Sequence, residues 1–287
     1  MQKFYEKVAV VTGASRGAGR GIALVLGEAG ATVYVTGRSV SGSSSRPDLS
    51  GTTIEETAAL VTARGGAGIP VRCDHTVDLE VESLFARVEA EQGRLDILVN
   101  NVWGGYEKYL DDSFVSPFWE QPLWRWDAMF VAGVRAHYSA SRLAARLMLL
   151  NKSGLIINTT FYDRGKYFQP LSYFLAKNSI NQMAYGMGLE LRKHNITAIA
   201  LSPGWMRTEA VMAIIAPDGE PNPEEYEQTE SIEYIGRAVV ALAGDPNIMN
   251  KSGQTWTVGD LACEYEFTDI DGRQVPPFRL PDDILMD

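Results

Sequence analysis

Apolar residues along this chain come in short unbroken runs, separated by longer stretches with a helical period. The runs are Val8 to Val11, Thr32 to Thr36, Ile69 to Cys73, Ile97 to Val99, Leu155 to Asn158, Ile196 to Leu201 and Thr255 to Val258. Stretches such as VAVV and LIIN are apolar at successive positions rather than alternate ones, which suits parallel strands buried on both faces. The helical stretches between them would supply the two covering layers. The pattern predicts one doubly wound α/β domain of about seven strands over residues 1–287, with ligands at the carboxyl ends of the strands.

Two segments interrupt the series. Ser39 to Gly51 is a Ser/Gly/Pro stretch that reads as a flexible loop, either a neutral linker or a loop touching a ligand. Gly104 to Trp126 carries Tyr106, Tyr109, Phe114, Phe118, Trp119, Trp124 and Trp126 amid Asp111, Asp112 and two prolines, and reads as an irregular, partly helical excursion. A further stretch follows the last predicted strand, after Val258.

Composition narrows the function classes. With 45% hydrophobic residues in 287, the chain can bury a substantial core, so a disordered or fibrous protein is excluded. The net charge of −10 repels phosphodiester backbones and anionic lipid, which argues against nucleic acid or a membrane as partner. The two cysteines, Cys73 and Cys263, show no CxxC or CxxH spacing, and the three histidines no ligand pattern, so no metal site and no disulfide framework is expected. The first strand begins within a few residues of Met1, no signal-peptide pattern precedes it, and no apolar run reaches the roughly 18 residues of a membrane helix; a cytoplasmic protein is expected.

Candidate chemistry sits where strands end. Thr12-Gly13-Ala14-Ser15-Arg16-Gly17-Ala18-Gly19 joins the first strand to the first helix, where glycines let the backbone approach a pyrophosphate and the helix amino end favours its charge. The domain is therefore expected to be of the Rossmann type. The second strand ends in Thr36-Gly37-Arg38, with no acid to hold a ribose 2′-hydroxyl; Arg38 and Arg16 are placed to pair with a 2′-phosphate, so NADP is expected over NAD. Tyr173 and Lys177 lie four residues apart on one helix face, pairing a phenol with an ammonium that would favour the phenolate. Asn158-Thr159-Thr160 ends the fifth strand and brings a hydroxyl to the same edge.

These motifs, with Asp74 after the third strand, Asn100-Asn101 after the fourth and Pro203-Gly204 to Thr208 after the sixth, resemble the short-chain dehydrogenase/reductase family in order and spacing over nearly the whole chain. Phe118 to Glu120, Gly244 to Ile248, Asp260 to Ala262 and Asp269 to Arg273 are similar to the dehydrogenase/reductase family member 1 group within it. The resemblance implies hydride transfer between NADP(H) and a carbonyl or alcohol. It gives Tyr173 the role of general acid, has Lys177 bind the nicotinamide ribose and lower the tyrosine pKa, and has Thr160, in the place of the family's serine, orient substrate. It also implies that Asp74 contacts the adenine, Asn100 the cofactor-side loop, and Thr208 with the Pro203-Gly204 backbone the carboxamide. Enoyl reduction is disfavoured, since that branch spaces its tyrosine and lysine more widely.

Departures from the family pattern accompany this. Thr160 adds a methyl to the serine position, Trp103 follows the cofactor loop, and Gly133 stands where a relay asparagine is expected. They keep open a second reading, a dinucleotide-binding regulator with little turnover. Trp103 and Trp205 are expected to contact a bulky apolar ketone or aldehyde, whereas Trp119, Trp124 and Trp126 are either pocket wall or packing. Asp163 and Arg164 are expected to form a surface pair, and Tyr162 and Tyr167 to pack in their loop. Long helices at about Leu123 to Leu150 and Ser172 to His194 imply, by family analogy, a homodimer or homotetramer.

Overall fold

The computed structural model describes residues 4–43, 52–106, 114–216, 219 and 222–280. In chain order the first half comprises β1 (Val8–Val11), α1 (Gly17–Glu28), β2 (Thr32–Gly37), α2 (Ile54–Ala63), β3 (Ala67–Arg72), α3 (Asp78–Gln92) and β4 (Ile97–Asn100). Then follow α4 (Leu123–Ala128), a π-helical turn (Met129–Arg135), α5 (Ala136–Asn151), β5 (Gly154–Thr159), α6 (Leu171–Leu191) and β6 (Ile196–Ser202). The last part holds β7 (Trp205–Met206), α7 (Glu209–Ile215), α8 (Pro223–Gln228), β8 (Thr229–Glu230), α9 (Tyr234–Gly244), β9 (Thr255–Thr257) and α10 (Val258–Tyr265).

Seven strands form one parallel sheet in the order β3-β2-β1-β4-β5-β6-β9, the doubly wound Rossmann arrangement. The alternation hidden in the apolar runs appears in the packing. Ala9, Val11, Val33, Val35, Val99 and Ile157 face α1, α2, α9 and α10, whereas Val8, Val10, Tyr34, Leu98 and Ile156 face α3 and α5. Each of these residues therefore has a helix layer to bury against, which is why the runs of the inner strands do not alternate. Glycines set the spacing of α1 and α9: a Cβ at Gly21 would lie 1.7 Å from the Ile232 carbonyl oxygen, so only hydrogen fits. The order reverses between β1 and β4, and that point opens the ligand crevice at their carboxyl ends.

Strand bounds differ from expectation where backbone pairing outweighs side-chain pattern. β3 begins at Ala67, because Ala67 and Gly68 pair with Thr32 and Val33 although neither carries a strand-forming side chain. The seventh strand stops at Thr257, whose side chain accepts the Asp260 N–H and opens α10 at Val258. The ribbon of β7 and β8 was not expected; it pairs Trp205 with Thr229 and Met206 with Glu230. Of the interrupting segments, Ser39 is followed by a turn closed by Val40 and Ser43, and residues 44–51 lie outside the described residues, as do Tyr109, Asp111 and Asp112. Among the described residues no helix is long and apolar enough to cross a membrane, and no group of three or more His, Cys, Asp or Glu could hold a metal.

Candidate active site

The floor of the crevice is built by β1 and β4 tied together. The Thr12 hydroxyl accepts the backbone N–H groups of Asn101 (2.8 Å) and Val102 (3.2 Å), and Asn101 Nδ2 donates to the carbonyls of Thr12 and Gly13 at 3.2 and 3.0 Å. Gly13 and Gly17 adopt positive φ (65° and 54°), and a Cβ at Gly19 would lie 2.4 Å from the Gly13 carbonyl oxygen, so the turn into α1 requires glycine at all three. Ser15 is buried and Ala18 partly so. The Gly17 N–H donates to Glu209 Oε2 at 2.9 Å; a carboxylate thus already sits on the backbone donor where an anion is expected.

Asn100 does not reach the cofactor-side loop, as the sequence suggested. It is fully buried, its Nδ2 donating to Ser141 Oγ (2.8 Å) and Asn158 Oδ1 (2.9 Å), and the loop contact belongs to Asn101. Consecutive residues leaving a strand face opposite ways, so the two asparagines divide between the sheet and the crevice.

Arg16 and Arg38 both stand at the carboxyl ends of β1 and β2. Arg16 donates to Ser39 Oγ (3.0 Å) and Thr52 Oγ1 (3.3 Å), which draws the start of the Ser39 loop into the crevice. Half-exposed Arg38 lies 3.8 Å from Asp74 Oδ2. Partial burial works against ionisation of Asp74, but bonds from Thr76 N–H and hydroxyl (3.0 and 2.7 Å), together with Arg38, hold its carboxyl below the usual range. A carboxylate therefore does stand near the expected phosphate position, though from β3 rather than β2.

At the opposite end, Tyr173 and Lys177 occupy adjacent turns of α6 and are both buried. Five rings surround the phenol: Trp103, Tyr106, Phe114, Phe161 and Phe168, with centroids 5.6 to 6.4 Å away. The Tyr106 ring, which sequence reasoning did not assign to the site, stacks on that of Tyr173 with centroids 6.4 Å apart. Burial first, then Tyr106, push the Tyr173 phenol well above 10, the direction opposite to the lowering that the resemblance implies for Lys177. Burial likewise pushes Lys177 down to about 7.

Trp103 explains the missing relay side chain. Its ring lies 3.6 Å from Lys177 Nζ and packs on Gly133 in the π-helical turn, where a Cβ would come within 2.6 Å of the indole. The indole at 103 is therefore accommodated by the missing side chain at 133. His137, one turn further on, holds the loop before the indole through Nε2 and the Val102 carbonyl (3.0 Å); burial, then the Lys177 charge, push this imidazole down to about 3. The Thr160 hydroxyl donates to the Lys177 carbonyl at 3.1 Å, so it stands beside the pair but is engaged with the α6 backbone.

Pro203, Gly204 and Thr208 form the third wall. The Thr208 methyl lies 3.5 Å from the place a Gly17 Cβ would occupy, so this loop faces the glycine turn directly, and its hydroxyl caps α7 through the Val211 N–H (3.3 Å). Behind Gly204 lies buried Glu230, which burial pushes up to about 8. Trp205 leaves 38% of its surface exposed and Trp119 71%, whereas Trp126 stacks on Phe130 and Trp124 under the Arg125 guanidinium. Tyr162 donates its N–H to Ser202, and Tyr167 packs edge-on to Phe174. Asp163 and Arg164 are no surface pair: Asp163 is buried and accepts the Leu280 N–H at 2.7 Å, while Arg164 is exposed, with its backbone at φ 51°.

The short chain dehydrogenase family model matches residues 7–218, and the chain belongs to that family of oxidoreductases, which bind nicotinamide dinucleotides and act on small molecules. The mouse protein named dehydrogenase/reductase SDR family member 1 is 40% identical over 280 residues, covering 95% of this chain and 86% of the relative. A 7alpha-hydroxysteroid dehydrogenase of Escherichia coli K12 is 29% identical over 215 residues, covering 75% of this chain and 76% of its own length. Among solved structures, a short chain dehydrogenase from Mycobacterium thermoresistibile superposes with a TM-score of 0.80 at 26% identity, covering 98% of this chain and 95% of that one. A metagenomic short-chain oxidoreductase in complex with NADP gives 0.67 at 25%, with 88% and 96% covered. The residues here fit a dinucleotide: a glycine turn held at positive φ or too close for a Cβ, a backbone N–H already carrying a carboxylate, and two arginines at the far end.

Proposed function

We propose that this chain is an NADP(H)-dependent carbonyl reductase that passes hydride between the nicotinamide and a ketone, aldehyde or secondary alcohol. The observation that carries the reading is the phenol of Tyr173 one helical turn from Lys177, enclosed by rings at the crevice mouth. When bound, the nicotinamide supplies the hydride that goes to the carbonyl carbon. Tyr173 gives its proton to the carbonyl oxygen; a phenol held well above 10 is fully protonated at neutral pH, so the donor is in the state reduction requires. Lys177 holds the nicotinamide ribose, and Thr160 lies close enough to the pair to orient a carbonyl once substrate competes for its hydroxyl. Gly13, Ser15, Arg16, Gly17, Ala18 and Gly19 take the phosphates, Asp74 the adenine, and Pro203, Gly204 and Thr208 the carboxamide. Asn100 serves this set from beneath, through the sheet.

Aromatic walls, with Trp103 and Trp205 among them, favour a bulky apolar ketone, and the hydroxysteroid dehydrogenase among the relatives supports that class. An exposed face on α5 and α6 that includes Leu149, Leu150, Tyr185 and Leu189 suits a homodimer or homotetramer, and cysteines that stay unpaired suit the cytoplasm. NADP over NAD rests on Arg16 and Arg38, and is supported by the NADP held in the metagenomic neighbour.

Arg38→Ala is expected to weaken NADPH binding about 10- to 100-fold and NADH binding hardly at all, the size of one charge-assisted phosphate contact. Fluorescence titration with both cofactors checks this; equal losses would remove the 2′-phosphate role. The engagement of the Thr160 hydroxyl with Lys177 favours a second reading, a dinucleotide-binding regulator, and a protein that binds NADPH yet reduces no member of a broad carbonyl panel would establish it instead.

A further inference from the structure

After α10 the chain runs without regular structure from Glu266 to Leu280, yet it is tied down along its length. The Thr268 carbonyl accepts from Arg237 at 2.7 Å. Buried Asp269 accepts from the Ser231 N–H (2.7 Å), the Ser231 hydroxyl and Arg207. The Val275 carbonyl accepts the Tyr234 hydroxyl at 3.0 Å. Each anchor lies on β7, β8 or α9 or beside them, so the segment is led past the Pro203-Gly204 loop.

It ends on the loop that follows Thr160. Asp163, only 2% exposed, accepts the Leu280 N–H at 2.7 Å, and Lys166 Nζ donates to the Leu280 carbonyl at 2.9 Å. Arg279 adds a charge 3.9 Å from the second Asp163 oxygen. Between these ties stands Phe278. Its Cβ is 3.7 Å from where a Gly204 Cβ would lie, and its ring is 6.1 Å from that of Phe161, which in turn is 6.0 Å from the Tyr173 ring. Phe278 and Phe161 both remain partly exposed, Phe161 at the edge of the small core cluster of Met129, Tyr173 and Ala176.

The geometry points to the carboxyl-terminal segment as a strap that completes the substrate site, with Phe278 as a specificity-determining wall and Asp163 as the positioning residue that latches it. This rests on the proposed reductase reading, because the wall is defined relative to Tyr173. A buried carboxylate spent on a main-chain N–H 117 positions away is costly unless the segment it holds must be fixed. Removing the Phe278 ring takes away the apolar surface between Phe161 and Gly204, against which a large apolar ketone would rest and a small aldehyde would not.

The test uses the full-length protein loaded with NADPH and two probes, 2-acetylnaphthalene and propanal. Phe278→Ala is expected to raise KM for the naphthyl ketone about 10-fold or more, as for lost apolar contact in a binding pocket, with kcat on propanal and the NADPH dissociation constant within about twofold. Asp163→Ala is expected to reproduce the KM change, whereas Asp163→Asn, which keeps an acceptor for the Leu280 N–H, restores the original value. Calorimetric titration of the ketone into the same proteins gives a readout independent of turnover. Weaker ketone binding in Phe278→Ala, without turnover in any protein, would sink the reductase reading and leave the strap standing. Ketone affinity and KM unchanged in Phe278→Ala, or failing equally for both probes, or no ketone binding to any of the proteins, would overturn the strap.

Discussion

Tyr173→Phe lowers kcat for carbonyl reduction by about 10²- to 10⁴-fold, the usual contribution of a positioned proton donor. The variant removes one oxygen from a ring that Trp103, Tyr106, Phe114, Phe161 and Phe168 hold on every side, so the ring stays where it was. NADPH affinity is expected to stay within about threefold, a shift of under 1 kcal/mol, because no cofactor contact is assigned to the phenol. Steady-state kinetics beside a cofactor titration separates the two effects. A variant that keeps more than a tenth of the activity would mean that the proton comes from elsewhere, with Tyr106 the first place to look, since its ring stacks on that of Tyr173.

Lys177→Met is expected to do two things of opposite sign. Turnover falls by about 10²-fold or more, since the contact that positions the nicotinamide ribose is lost. Stability rises. Burial takes Lys177 from an ordinary 10.5 down to about 7. The indole face of Trp103 at 3.6 Å attracts the ammonium, but a cation–π contact gives about 2 kcal/mol at most, less than a downward shift of this size represents. Between the folded and unfolded values the unfolded chain binds more protons, so the stability of the native enzyme rises with pH from about 7 toward 10.5 and is flat with respect to this group below 7. The slope is on the order of 1.4 kcal/mol per pH unit inside that window. Methionine fills similar volume without the penalty, so the variant should melt about 3 °C or more above the wild type at pH 7.5, with the gap closing toward pH 10. A lower melting temperature at pH 7.5 would show that the ammonium on the indole stabilises the fold.

Local chemistry was legible in the sequence; long-range packing was not. The glycine turn and the Tyr173 and Lys177 pair declare themselves because their chemistry depends on spacings of a few residues, and the strand runs because both faces of a parallel sheet exclude polar side chains. Other features needed three dimensions. Trp103 and Gly133 read as two separate departures until the indole is seen on the glycine, thirty positions along the chain. Asp163 looked like half of a surface pair with its neighbour, and its partner proves to be the main chain at Leu280. Asn100 and Asn101 are indistinguishable as letters, and only the strand's alternation assigns one to Ser141 and Asn158 and the other to the glycine turn. Tyr106 lies in an aromatic stretch with no periodicity to place it, so its stacking on Tyr173 had no local signal at all. Asp269 to Arg273 marked a resemblance in the sequence; in the fold Asp269 anchors the strap to Ser231 and Arg207.

The central claim is that hydride passes from NADPH to a carbonyl carbon while Tyr173 protonates the oxygen, and isotope transfer tests it most directly. Wild-type protein incubated with 2-acetylnaphthalene and NADPH carrying deuterium at one C4 position should return the alcohol, with one deuterium at the carbinol carbon from one C4 face and none from the other; Tyr173→Phe should yield almost no alcohol from either. Protein that binds the labelled NADPH but leaves this ketone and a broad panel of other carbonyls unreduced, or forms alcohol free of deuterium from both labelled faces, would contradict the account.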